Sequence, residues 1–395
     1  MSRNILALLA IGLCVTITGA FAHPGHTEPA VVDTEDGVIV LAQNDTVSPD
    51  AVSGQDEYRF RVLYTSEHLP SLAQRVLVRA HGGFAVDRRE GRGEVYFALP
   101  GAGIIQISND FGLVRMLNSP EEIRATNMHN ATLWFDDDEN GYIAFPANDG
   151  RKVFTTTMTG ILKHTLEAPT ADITFNSDRV NKWFAEGNPL VPTDVEYVNG
   201  TYYITTGYSR LDHVLTASVN VTPPDPAAVA AQEERVRRFR GPLGPTIDAS
   251  WNELAFGGRG NRPGKFGTGH GITLHPDGES IVVADRPHSE IDRFSFAGEH
   301  LDTTNIPEGA WPCDVDYEAG YTLVGCLHGP DREKGAPIYI MKGDEVLSTI
   351  MPKEDLGLSR FQHIHNAVLI QRNGKLYIIA QAWNPGDFAI LEQVQ

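Results

Sequence analysis

Six stretches of the chain share one pattern, in which a small or polar opening is followed by two β-rich runs separated by a turn. They begin at Gly82, His129, Pro192, His270, Pro312 and His365. A repeated pair of strands cannot bury its apolar face alone, and radial stacking of four-stranded sheets is one way to cover it. The repeat therefore predicts an all-β fold, a six-bladed β-propeller with one blade for each stretch.

Turn residues between the paired runs support this reading. The segments DENGY, VNGT, HPDGE, EAGY and RNGK are rich in Asn, Asp and Gly, which suit backbone positions with positive φ. We expect such positions at Gly141, Gly200, Gly278 and Gly374. The alternating segment YRFRVLY, which starts at Tyr58, is predicted to be a strand that closes the ring with the last blade.

The ends of the chain differ from the repeats in composition. Residues 1–22 combine one Arg with an apolar stretch and the small-residue ending AFA, which predicts a cleaved signal peptide and a secreted or periplasmic protein. Residues 23–57 are acidic and poor in aromatic residues, so we expect a flexible leader. The propeller would then occupy residues 58–395.

An insertion at about residues 219–250 interrupts the repeats after blade three. It begins with a proline-rich break and offers a helix-like stretch from roughly Pro226 to Phe239. The basic residues of this stretch are expected to form a solvated helix face. They are Arg235, Arg237, Arg238 and Arg240.

Charge excludes one class of partner. The chain has 51 acidic and 32 basic residues and a formal net charge of −19, so binding to nucleic acid is not expected. Beyond the signal peptide, no apolar run is long enough to span a bilayer. We therefore expect neither a nucleic-acid partner nor a membrane span; the charge itself identifies no ligand, and a small-molecule or peptide substrate is expected only from the resemblance given below.

Histidines open alternate repeats, at His129, His270 and His365. Because the first strand of each blade lines the central channel, we expect these side chains to converge from directions about 120° apart. Three imidazoles with an open fourth position are typical of catalytic zinc, although copper, nickel and iron also accept imidazole. The pattern predicts a metal in the central channel. The alternative is that each histidine only hydrogen-bonds strand ends.

Two cysteines flank the turn of the fifth repeat. If Ala319 and Gly320 form a two-residue loop, counting outward in register puts Cys313 opposite Cys326 in a non-hydrogen-bonded pair. The Cβ atoms of such a pair are close enough for a disulfide, which an oxidising compartment permits. Two buried free thiols are the alternative.

The run from Trp251 that contains FGGRGNRPGKFGTGHGITLHPDGESIVVADR, together with VPTDVEYVNGTYYITTGYSR, VDYEAGYTLVGCLHGP and IHNAVLIQRNGKLYI, resembles the peptidyl-α-hydroxyglycine α-amidating lyase family of six-bladed zinc propellers. The resemblance covers most of residues 80–395 in blade order. It implies zinc ligands at His129, His270 and His365, a catalytic tyrosine at Tyr208 and a catalytic arginine at Arg286.

The same resemblance implies a reaction. A carbon–nitrogen bond of an α-hydroxyglycine-type substrate would be cleaved to an amide and glyoxylate. Tyr208 would take or relay a proton, and Arg286 would orient the substrate carboxylate. A packed aromatic role for Tyr208 and a turn ion pair of Arg286 with Asp285 or Glu290 are the alternatives. A separate monooxygenase would have to supply the hydroxylated substrate.

Three positions depart from the family pattern. Where the family has a blade-one arginine that contributes to catalysis, residues 95–99 read VYFAL, without a cation. Asn366 stands where the family has an aspartate that helps to hold a structural calcium, so calcium binding is possible but weaker. His363 replaces a methionine; it is expected to contact the ligands or the substrate, with direct metal binding as the alternative.

These departures leave three functions open. The first is an exported zinc lyase, and the second is a relative of the same fold with changed chemistry, such as a metal-dependent hydrolase or lactonase. The third is a non-enzymatic propeller that is stabilised by its metal, because a fold alone does not define a function.

Overall fold

Six sheets, one for each repeat, make up the part of the chain that can be described. The computed structural model describes residues 47–48, 50–232 and 243–394, together with residues 32–33 and 39–40. All of them belong to one unit, residues 31–395. Every sheet of the ring is antiparallel, and its strands follow one another in chain order except where the ring closes. The predicted all-β, six-bladed propeller is confirmed.

Blades one to three have four strands each. Before them, β1 (Val32–Asp33) and β2 (Ile39–Val40) form a two-stranded pair, and β3 (Ser53–Gln55) and β4 (Tyr58–Thr65) follow. Blade one has β5 (Ala85–Val86), β6 (Val95–Leu99), β7 (Gly103–Ile107) and β8 (Val114–Met116). Blade two has β9 (Thr132–Phe135), β10 (Gly141–Ala147), β11 (Lys152–Thr157) and β12 (Leu162–Leu166). Blade three has β13 (Asp194–Val198), β14 (Thr201–Thr205), β15 (His213–Thr222) and β16 (Thr246–Gly257).

Blades four to six complete the ring. Blade four has β17 (Gly269–Leu274), β18 (Ser280–Asp285), β19 (Glu290–Ser295) and β20 (His300–Asn305). Blade five has β21 (Trp311–Glu318), β22 (Tyr321–His328), β23 (Ile338–Lys342) and β24 (Glu345–Ile350). Blade six has β25 (Ile364–Arg372), β26 (Lys375–Ala382) and β27 (Asp387–Val394).

Short helices lie in the connections between strands. They are α1 (Ser71–Val76), α2 (Glu121–Ala125), α3 (Asp178–Ala185) and α4 (Pro226–Ala231), with 3-10 helices at Ser66–His68 and Leu77–Arg79. Over the described ranges, no helix is long and apolar enough to cross a membrane.

Blade six is closed by the segment that precedes blade one. Strand β4 pairs with β27, with Arg61 opposite Glu392, and β3 pairs with β4 as the outermost strand. Phe60, fully buried in β4, packs into the same core cluster as Leu391. The predicted closing strand is confirmed, and the sheet also includes residues 53–55, ahead of the boundary expected at residue 58.

Hydrogen bonds from side chains join neighbouring inner strands around the ring. In each case a side-chain oxygen of one blade accepts from a backbone N–H of the next blade, so that the blades are linked without sharing a sheet. The pairs are Asp194 with Ile272 (2.8 Å), Glu196 with Leu274 (3.1 Å), Asp316 with Leu369 (2.7 Å) and Asn366 with Phe84 (3.2 Å).

Most of the predicted turn positions are confirmed. Gly200, Gly278 and Gly374 have φ of 79°, 69° and 74°. The prediction for Gly141 is wrong, because Glu139 takes the positive φ of 61° in that turn and Gly141 begins β10. A Cβ atom at Gly141 would lie 2.0 Å from the sulfur of Met158, so that side chain would have to move if another residue stood there.

The predicted pairing of Cys313 with Cys326 is wrong. The hairpin loop forms as expected, with Glu318 opposite Tyr321. A β-bulge then shifts the register, so that Cys326 lies opposite Pro312 and Cys313 has no ladder partner. Because a bulge inserts one extra residue into a strand, counting outward from the turn fails. Both cysteines are buried free thiols.

Several predictions concern segments outside the described residues. Of the helix expected over residues 226–239, the structure describes Pro226–Ala231 and ends its description at residue 232. The basic cluster of Arg235, Arg237, Arg238 and Arg240 falls in the gap at residues 233–242, and the signal peptide at residues 1–22 also lies outside the described residues. Of the leader at 23–57, residues 50–57 and a few short segments are described.

Candidate metal centre

Three predicted histidines meet at one end of the central channel. His270 lies in β17 and His365 in β25, while His129 precedes β9. Their ring centroids are 4.7 Å apart for His129 and His270, 5.1 Å for His270 and His365, and 4.5 Å for His129 and His365. The side chains of alternate blades therefore form a nearly equilateral triangle.

Each of these rings is held by a backbone carbonyl of the following blade. The Nδ1 atoms of His129, His270 and His365 lie 2.5, 2.6 and 2.9 Å from the carbonyl oxygens of Thr193, Cys313 and Gly82. Since a carbonyl only accepts, each Nδ1 carries the proton, and the lone pair is left on Nε2. Zinc-binding histidines are oriented by the same kind of contact.

Burial also favours the neutral form of two of these rings. It lowers the pKa of both His129 and His270 well below the usual value, and nearby positive groups, His365 beside His129 and Arg286 beside His270, lower it further. A neutral imidazole is the form that binds a metal. Three rings that carry a proton on Nδ1 and present Nε2 to the centre fit a zinc ion.

Tyr208 and Arg286 both reach this centre. The Tyr208 hydroxyl lies 3.0 Å from His270 Nε2, and Arg286 Nη1 donates to the same hydroxyl at 3.0 Å. Asp285 and Glu290 pair instead with His288, at 2.7 and 3.4 Å. The local ion pair considered for Arg286 is thus replaced by contacts within the site.

Arg286 directly contacts His270, one of the predicted ligands. Its Nη2 atom lies 2.6 Å from His270 Nε2 and 3.0 Å from Cys313 Sγ, and the residue is only 2% exposed. A metal held by His270 Nε2 would take the place of the first contact. Burial raises the pKa of Tyr208 to about 12, although Arg286 opposes this shift.

A fourth histidine, His81, was missed by the sequence analysis. Its ring centroid lies 4.5 Å from that of His129 and 4.4 Å from that of His365, and Nε2 is 3.4 Å from the Tyr208 hydroxyl. The donor atoms of His81, His129 and His365 lie within 4.8 Å of one another. His81 comes one residue before the start of the first repeat, so a search for histidines that open repeats passes over it.

His363 lies against blade five. Its Nδ1 atom is 3.0 Å from the Leu327 carbonyl oxygen, and its ring packs edge-on against His328 at 4.7 Å and 5.9 Å from Trp383. Among described residues, the group of histidines with donor atoms within 4.8 Å of one another consists of His81, His129 and His365 and includes neither His363 nor His270. The placement fits a residue outside the metal ligands.

A layer of amides and carboxylates lies next to the histidines along the channel. Asn366 Nδ2 donates to Asn130 Oδ1 at 3.2 Å and also to Asp314 Oδ2. Burial raises the pKa of Asp314 to about 7, and burial together with Asp314 raises that of Asp194. Asn130, Asp194 and Asp314 also line a cavity of about 680 Å³ on the side of the channel away from the histidines.

Comparisons with known proteins give only distant structural likenesses. No model of a protein family matches the chain, and no curated protein matches it. A catalytically inactive virginiamycin B lyase from Staphylococcus aureus with quinupristin has a TM-score of 0.45 at 12% identity, covering 80% of this chain and 96% of its own. A streptogramin B lyase has 0.41 at 12% identity, over 78% and 92%.

A structure of another kind is about as similar. The nidogen/laminin complex gives a TM-score of 0.42 at 10% identity, covering 77% of this chain and 94% of that one. Scores below 0.5 contribute nothing to the assignment of a function. That assignment depends on the geometry of the candidate metal centre.

Proposed function

We propose that the protein is an exported zinc-dependent lyase that cleaves the carbon–nitrogen bond of an α-hydroxyglycine-type substrate to an amide and glyoxylate. One observation carries the proposal, namely that three histidines from alternate blades each donate Nδ1–H to a carbonyl of the next blade. The resemblance to the peptidyl-α-hydroxyglycine α-amidating lyases extends to Tyr208 and Arg286.

The three histidines would hold the zinc ion through Nε2 and leave one position open to substrate. When bound, zinc supplies a Lewis acid that makes the α-hydroxyl of the substrate more acidic. Arg286 supplies a fixed positive charge beside the centre, suited to a carboxylate acceptor. Tyr208, which accepts a hydrogen bond from Arg286, is within reach of the same position.

The reaction needs no oxidant and no water. The hydroxyl proton leaves oxygen, a C=O bond forms, and the C–N bond breaks with its electron pair going to nitrogen. Tyr208 passes a proton to that nitrogen and takes one from the hydroxyl, so its own state is unchanged after one turnover. The products are the amide and glyoxylate, and a separate monooxygenase would have to provide the hydroxylated substrate.

We also propose that calcium binds at the layer formed by Asn130, Asp194, Asp314 and Asn366, where Asn366 would have to turn its amide oxygen from the Phe84 N–H to the ion. Calcium is bound by carboxylate and amide oxygens. When two buried carboxylates lie close together, the charge on one makes ionisation of the other less favourable. A cation between them stabilises both charged forms. Calcium here would brace the inner strands and take no part in the chemistry.

The decisive experiment is release of glyoxylate from α-hydroxyhippurate by the zinc-loaded protein. His270→Ala is expected to abolish release, whereas His68→Ala, at an exposed histidine outside the channel, is expected to retain it. A zinc-bound protein that turns over esters or lactones but releases no glyoxylate would contradict the lyase and favour a hydrolase. No turnover of any of these would favour a metal-stabilised binding propeller.

A further inference from the structure

The hydrogen bond at Nδ1 distinguishes His81 from the other three histidines. His81 Nδ1 faces the amide nitrogen of Asn127 at 3.0 Å, and the same nitrogen donates to Asn148 Oδ1 at 3.0 Å. Asn148 Oδ1 also accepts from the Asp149 backbone N–H at 2.7 Å. Because the Asp149 N–H can only donate, the Asn148 atom that it faces must be the amide oxygen. Because that oxygen can only accept, the Asn127 atom that it faces must be the amide nitrogen.

These hydrogen bonds determine which nitrogen of the neutral His81 ring carries the proton. Because Asn127 donates to Nδ1, Nδ1 carries the lone pair and the proton is on Nε2. His129, His270 and His365 have the opposite arrangement, since their Nδ1 atoms face carbonyl oxygens. Three rings therefore direct lone pairs at the centre, and His81 directs an N–H group toward it.

We propose that His81 is a further catalytic residue, a hydrogen-bond donor at the open side of the centre and not a fourth metal ligand. This inference rests on the proposed lyase function. A protonated Nε2 has no lone pair for a metal. It can donate instead to the carbonyl oxygen of the substrate amide, where charge develops when the C–N electron pair moves to nitrogen and is shared with that oxygen.

The position of His81 suits this role. His81 precedes the first strand of blade one, and Arg286 follows β18 of blade four. Both reach the Tyr208 hydroxyl, His81 Nε2 at 3.4 Å and Arg286 Nη1 at 3.0 Å, so a substrate whose carboxylate faced Arg286 would have its amide within reach of His81. The ring is kept in place by stacking, with the Trp383 centroid at 5.2 Å on a plane tilted by 26°. Residues 95–99 of blade one include no cation. His81, which directly precedes this blade, places a polar group at the centre on the same side.

Two variants of the full-length protein test the inference with zinc and cobalt as probes. His81→Ala is expected to keep the zinc stoichiometry, the zinc affinity and the visible spectrum of the cobalt-substituted protein, while kcat/KM for glyoxylate release falls about 100- to 1,000-fold, the usual effect of losing such a donor. His81→Gln, which still offers an N–H, is expected to recover part of that loss. His129→Ala, the matched ligand variant, is expected to lose metal.

Asn127→Asp provides an independent test of the tautomer. A carboxylate at this position accepts from Nδ1–H and so moves the lone pair of His81 to Nε2. We expect the cobalt spectrum of this variant to change as His81 becomes a ligand, with a loss of kcat/KM similar to that of His81→Ala. An unchanged spectrum in Asn127→Asp would contradict the assigned tautomer.

The outcomes separate this inference from the proposed function. If the wild-type protein releases glyoxylate and His81→Ala releases it equally well, the role of His81 is overturned and the lyase stands. A weaker zinc affinity or an altered cobalt spectrum in His81→Ala would show a fourth ligand and overturn the inference. If the zinc-loaded wild type releases no glyoxylate, the lyase proposal fails, and the catalytic role of His81 fails with it.

Discussion

The partner of one ring nitrogen decides what each channel histidine can do. His129, His270 and His365 face carbonyl oxygens at Nδ1, whereas His81 faces the amide nitrogen of Asn127. The same side chain thus presents a lone pair in three cases and a proton in the fourth. The groups behind the rings therefore determine their roles as much as the rings themselves.

Asp212 provides a pH-dependent prediction at the residue scale. Burial raises its pKa to about 7; Oδ1 accepts from the Gly269 N–H, while Oδ2 is buried without a hydrogen-bond partner. Because the folded-state pKa exceeds the unfolded one, its contribution to stability is full below about pH 4 and is lost as the pH rises through about 7. Asp212→Asn should reduce the fall in unfolding free energy between pH 5 and 8, measured by urea denaturation.

The control for this prediction is Asp50→Asn, at an exposed aspartate far along the chain from blade three. It should leave the pH dependence of the unfolding free energy unchanged. An Asp212→Asn profile parallel to that of the wild type would show that Asp212 is ionised in the folded protein throughout this range.

The cysteines give a second prediction at this scale. Burial raises the pKa of the Cys313 thiol and that of Cys326, and buried protonated thiols react slowly. We expect both to be alkylated by iodoacetamide in denaturant without a reductant, and neither under native conditions, as measured by mass spectrometry. Alkylation that required a reductant would indicate a disulfide.

Residue-level prediction from sequence succeeded where the repeat set the position. His129, His270 and His365 occupy the same place in alternate repeats, so their convergence followed from counting. His81 lies outside the repeat unit, and only the fold brings it to the centre. The pairing of Cys313 failed because a bulge is a local choice of backbone path that alternation of residue types does not reveal.

At the scale of elements, the blades are joined by two different devices. Side-chain oxygens of Asp194, Glu196, Asp316 and Asn366 accept from the next blade, and blade six is completed by β4. The number of blades and the closing strand were predictable because strands alternate with turn residues. The hydrogen bonds between blades could not be predicted, because they depend on which residues of two separate repeats lie next to each other in the folded ring.

The closing strand provides a prediction at this scale. Phe60 of β4 is fully buried, and Phe60→Ala should lower the free energy of unfolding by about 3–5 kcal/mol through lost burial and a residual cavity. Guanidinium denaturation measures this change. Leu113→Ala, at a leucine that is 56% exposed, should change it by less than about 0.5 kcal/mol. Equal effects of the two variants would show that β4 does not secure blade six.

At the scale of the whole molecule, a metal at the candidate centre would connect blades two, four and six. A ligand that binds only the folded state stabilises it by mass action, by about 4 kcal/mol when its concentration is 1,000 times the dissociation constant. We therefore expect zinc to raise the unfolding temperature and a chelator to lower it, as measured by calorimetry. His129→Ala should lose this response, and a response that persists in this variant would place the stabilising metal elsewhere.

The pairing of β4 with β27 in blade six also has a consequence for the order of folding. Arg61 of β4 bonds Glu392 of β27 at 2.7 Å across a separation of 331 residues, whereas each of the other five blades is built from one continuous segment. Closing so long a loop costs more entropy than pairing neighbouring strands, and distant contacts form slowly. Five blades can thus assemble as the chain emerges, while the sixth has to wait for the last strand.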